Sequence, residues 1–156
     1  MSLSLKCVHL AIAIAVTIQT PCFADATKFS AQDRKALEDA ARFHEIASTK
    51  DLPDPIRKLC AEADGKMADP GGKWQVTDVI MEPSLPIRRL IWAATDGNYY
   101  VVCYERGGIV HSFHLVIATL AKGATKPTEI WAGNTKPNEF KDYAAFVASL
   151  KAGKVG

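Results

Sequence analysis

Apolar runs long enough to cross a bilayer are missing from this chain. Its longest, Val8 to Ile18, has about eleven residues and is interrupted by His9 and Thr17, whereas a spanning helix needs roughly 20. Cysteine is scarce, with 4 in 156 residues, which excludes a disulfide scaffold. The 10 Gly and 8 Pro are too few for a fibrous or low-complexity chain. Excess charge is absent as well. The 19 basic and 17 acidic residues leave a formal net charge of +2, which excludes whole-domain attraction to nucleic acid or anionic lipid as the main activity. What is present is 48% hydrophobic residues, the composition of one ordinary folded domain.

The first residues have the three parts of a secretory signal. Lys6 supplies a positive charge, Val8 to Ile18 the apolar stretch, and Ala24 or Ala26 the small residue before cleavage. We therefore expect a signal peptide over 1–24 (cleavage alternatively after 26) and a single α+β domain over 25–156. The destination is the periplasm or the extracellular space, with no stable membrane insertion after cleavage. Cys7 and Cys22 leave with the signal, so Cys60 and Cys103 remain. An even pair in an oxidising compartment predicts a Cys60–Cys103 disulfide.

Ser30 and Asp33 form a capping-box pattern, and apolar residues at helical spacing predict a helix over 31–48. Asp54-Pro55 opens a second helix that runs to about Asp64, where Gly65 stops it. After Asp69-Pro70-Gly71-Gly72 the apolar period changes from 3.6 to 2. Strands are predicted over 74–81, 87–94, 98–105 and 109–120, with a short fifth over 129–132. Phe140, Tyr143, Phe146, Val147 and Leu150 make the stripe of a C-terminal helix. The fold class is α+β: two N-terminal helices, an antiparallel meander of four or five strands, and a C-terminal helix.

Asp96-Gly97 and Gly107-Gly108 are signals for two-residue hairpin turns. Those turns would pair Thr95 with Asn98 and Arg106 with Ile109. One face would then hold Leu90, Trp92, Val101, Cys103, His114 and Val116, and the other Arg89, Tyr100, Tyr104, His111, Phe113 and Leu115. Both faces are largely apolar, so both need cover. The disulfide would place the N-terminal helices on the Cys103 face. The C-terminal helix would cover part of the other, leaving Tyr104 and His111 open at the hairpin end.

Chemistry is thinly marked. His111 and His114 stand three apart on a strand, so they point to opposite faces and cannot share a metal. No G-x-S-x-G, S-x-x-K, H-E-x-x-H or phosphate-cradling glycine motif occurs. No cofactor or metal is expected, and no nucleic-acid partner. The side chains best suited to an interface are Arg89, Tyr100, Tyr104, His111 and Phe113. The sequence points to a small exported, periplasmic protein that acts by binding, as an inhibitor, accessory factor or recognition module. Its partner would be a protein, a small ligand or a second copy of the chain. The alternative is an exported enzyme with a site near Arg89, Tyr104 and His111.

Overall fold

A computed structural model describes residues 30–61, 65–78 and 82–155. The expected signal segment, the end of the second helix and residues 79–81 lie outside these described residues. In chain order the elements are α1 (Ala31–Glu38), a 3-10 turn (Ala40–Arg42), β1 (His44–Ile46), α2 (Asp54–Cys60), β2 (Arg88–Thr95), β3 (Tyr99–Arg106), β4 (Ser112–Thr119), β5 (Thr128–Thr135) and α3 (Tyr143–Lys151). The strands form one antiparallel sheet in the order β1-β2-β3-β4-β5. The fold is α+β, with a helix at its C-terminal end.

The helix predicted over 31–48 ends at Glu38. Ser30 caps its start, its Oγ accepting from Asp33 N at 3.0 Å. Beyond Asp39 the chain is diverted to the sheet, where β1 pairs His44 with Thr95 and Ile46 with Ala93. Arg42 meets Asp96 at 2.7 Å, and Phe43 stacks on Tyr143 with centroids 4.6 Å apart. Helix propensity is worth only tenths of a kcal/mol per residue, and pairing the edge of β2 outweighs it. Residues 74–78 are not a strand either; they make a single bridge, Thr77 to Gly108.

Neither hairpin closes on the expected pair: the first turns one residue later, at Gly97-Asn98, with Asp96 N donating to Tyr99 O at 3.3 Å, and the second is longer. At the first, Thr95 pairs with Tyr100. Asp96 Oδ1 accepts from Asn98 N and Tyr99 N at 2.9 and 2.7 Å, a local side-chain alternative to a tight ladder. This two-residue shift keeps Trp92 on the Cys103 face. A bulge between Leu90 and Trp92 then moves Leu90 to the opposite face, where it pairs with Tyr104.

At the second hairpin, Arg106 pairs with Ser112, so residues 107–111 form the turn. The two glycines face a crossing segment instead of a tight turn. Gly107 N donates to Ile87 O at 2.8 Å and Gly108 N to Val76 O at 3.1 Å. A Cβ on Gly107 would lie 2.0 Å from Gln75 O. The odd shift turns all of β4 over. Phe113, Leu115 and Ile117 join Cys103, while His114 and Val116 join Tyr104.

α2 and α3 are consequently exchanged relative to expectation, while α1 lies on the Cys103 face as expected. The Trp92, Val101 and Cys103 face lies under α1 and α3, packed on Leu37, Phe140, Phe146 and Leu150. Trp92 Nε1 donates to Phe140 O at 2.6 Å, and Tyr143 Oη to Leu37 O at 2.7 Å. The Tyr100, Val102 and Tyr104 face lies under α2, against Leu52, Ile56, Cys60 and Met67.

This placement overturns the disulfide. Cys60 and Cys103 are free, buried thiols in separate clusters on opposite faces of the sheet. Desolvation pushes each thiol up to about 12. Among the described residues no helix is long and apolar enough to cross a membrane.

Candidate functional site

Three large apolar side chains are exposed among the described residues: Val76 at 43%, Ile109 at 90% and Val110 at 69%. The chain brings them to one place. Gly108 N bonds Val76 O, so the crossing segment lies against the turn that carries Ile109 and Val110. Beside Ile109 and Val110 runs a groove of about 450 Å³, lined also by Gln75, Thr77, Asp78, Ile87, Arg106 and Ser112.

Each face of the sheet carries a polar cluster at this end. On the Cys103 face, buried Glu105 accepts from Arg89 Nε at 2.7 Å through Oε1. Its Oε2 meets His111 Nε2, also at 2.7 Å. Trp74 covers the pair: the Arg89 guanidinium lies 5.0 Å from its ring centroid, and the His111 ring 5.4 Å. The Phe113 ring lies 4.7 Å from that of His111. Both oxygens of Glu105 are engaged, so this carboxylate fixes the cluster instead of serving as an open acid or base.

On the opposite face, Tyr104 stacks on His114 at 4.9 Å, with an interplanar angle of 14°. Ser112 Oγ lies 2.7 Å from His114 Nε2. Arg88 sits over the Tyr104 ring at 5.3 Å and donates to Cys60 O and Ala61 O at 2.6 and 3.2 Å, capping α2. Burial, then the cations Arg88 and Arg106, hold the His114 pKa below its usual 6.5. The ring is neutral at pH 7.

The structure divides the residues singled out from the sequence. Arg89, His111 and Phe113 come together on one face. Tyr104 and Tyr100 are buried on the other, so Tyr104 does not converge with Arg89 and His111. Sequence reasoning missed Glu105, Trp74, Ser112 and His114 as members of this end. It also read Ile109 and Val110 as strand, because β-branched residues after a diglycine carry that signal. Their exposure follows from the docking of residues 75–76 on Gly107, a non-local contact with no local trace. No protein-family model, curated protein or solved structure matches this chain.

Proposed function

We propose that this chain is a small exported protein of the periplasm that acts by binding, and that the β3–β4 turn is its recognition surface. The observation that carries this reading is the exposure of the adjacent Ile109 and Val110 on the turn, beside a groove that they and Ile87 line. Scattered exposed apolar residues are ordinary, but a contiguous group with a polar rim marks an interaction site. The rim here is Arg106, Asp78 and Ser112. The Glu105 cluster behind it fixes the base of the turn, a rigid mounting that lowers the ordering cost of binding.

The test uses the exported protein and its Ile109→Ser/Val110→Ser variant, both immobilised, with native envelope extract passed over each. A component retained by the first and lost by the second, at unchanged circular dichroism, supports the reading. Equal capture by both would remove the turn from recognition. Intact mass of the exported protein should show loss of 24 or 26 residues.

A further inference from the structure

Period-two alternation puts Ser112 and His114, two apart on β4, on one face of the sheet. Their side chains meet there, Ser112 Oγ lying 2.7 Å from His114 Nε2. A hydroxyl within hydrogen-bond reach of an imidazole, with the ring held by a third group, is the arrangement of an activated nucleophile. The third group here is Tyr104, which stacks on the His114 ring at 4.9 Å and 14°. We propose that Ser112 and His114 form a catalytic dyad that hydrolyses a neutral short-chain acyl ester bound in the groove beside the turn. This activity goes beyond recognition by the turn.

The groove sets the substrate class. Its volume of about 450 Å³ falls within the roughly 300–1,000 Å³ of small-molecule sites, and Ser112 is part of its lining. Ile87, Ile109 and Val110 on the same lining suit a short acyl chain. Asp78 lines it too and repels an anionic substrate, which leaves a neutral ester. The same charge repels the carboxylate product. In the turn that leads into Ser112, the amides of Ile109, Val110 and His111 meet no acceptor among the described residues. Unspent backbone amides are the donors that an oxyanion takes.

At pH 7 the His114 ring is neutral, and with its proton on Nδ1 the Nε2 lone pair accepts the Ser112 hydroxyl. In acylation, Oγ bonds to the ester carbonyl carbon as its proton passes to Nε2. The bond from that carbon to the alkoxy oxygen then breaks, and Nε2 returns the proton to the departing alcohol. Deacylation repeats the sequence with water, whose oxygen bonds to the acyl carbon while Nε2 takes its proton. The carboxylic acid leaves as Ser112 Oγ regains a proton from Nε2.

A fluorophosphonate ester, a neutral electrophile that traps activated serines, tests the dyad in the purified protein. Peptide mass mapping should place the adduct on Ser112, and p-nitrophenyl butyrate should be turned over. General-base assistance contributes about 10²–10⁴-fold, so His114→Gln should slow labelling by about a hundredfold or more at unchanged circular dichroism. Wild-type labelling should rise with pH and level off above pH 6.5, as His114 loses its proton. Ser112→Ala should abolish both the adduct and the ester turnover. No adduct on Ser112, equal labelling of a folded His114→Gln variant, or turnover kept by Ser112→Ala overturns the proposal. If His114→Gln does not fold, the site of the wild-type adduct and its pH profile decide. Capture of an envelope component by the turn is measured without either probe, so the two readings fail separately.

Discussion

Glu105 and His111 meet at 2.7 Å across the β3–β4 turn, and the carboxylate between His111 and Arg89 is the buried member of the three. Removing a buried ion-pair partner strands the charge left behind, at a cost of 3–5 kcal/mol when both are fully buried. Arg89 is partly exposed, so Glu105→Ala should destabilise by about 2–3 kcal/mol in urea unfolding. His111→Ala leaves the Glu105–Arg89 pair intact and should cost about 1 kcal/mol or less. Equal losses for the two variants would contradict this ordering.

The thiols give a second expectation. The native protein should resist alkylation at both Cys60 and Cys103, because each is buried and its pKa is raised to about 12. In denaturant, without reductant, both should react. The melting temperature should be the same with and without reductant. A protected pair in denaturant would restore the disulfide.

Gly107 is required by close approach. Its substitution by Ala puts a methyl group against backbone oxygens of Gln75 and Val76, and overpacking of this kind costs about 1–3 kcal/mol. A Cβ at Gly97 meets nothing within 4 Å, but Gly97 has φ +92, so its Ala variant reports backbone strain alone. Solvent accessibility of Ile109 and Val110 should change in Gly107→Ala and not in Gly97→Ala, as read by amide exchange across 107–111.

His114 predicts a pH dependence of stability. Its folded pKa lies below 6.5, so the unfolded chain binds the proton more readily. This site's contribution is therefore fully present above about pH 6.5 and is lost as pH falls towards the folded pKa. His114→Gln should flatten the decline in melting temperature between pH 7.5 and pH 5. An unchanged profile in the variant would assign the decline to other groups.

Much of the architecture was legible in local pattern. The β2, β3 and β4 segments and the C-terminal helix declare themselves through period, turn residues and capping, and these follow from nearby atoms. Turn position and length were not legible. Asp96 draws the amides of Asn98 and Tyr99 to its side chain and moves the first turn to Gly97-Asn98, while the crossing segment at Gln75 and Val76 docks on the second and lengthens it. Because strand side chains alternate, that one misread turn exchanged His114 with Phe113 and separated Tyr104 from His111. The Ile91 bulge did the same to Leu90. Diversion of His44–Ile46 into the sheet answers the unpaired edge of β2, a demand that lies some fifty residues away in the chain.

Arg88 occupies the place that a covalent bond was expected to fill. Its guanidinium, reaching from β2 to the last carbonyls of α2, ties helix to sheet by contacts that form and break without electron transfer. The native state is thus indifferent to the redox poise of its surroundings. The chain needs no oxidation catalyst or disulfide reshuffling to fold, and reaches the same structure on either side of the membrane that it is proposed to cross.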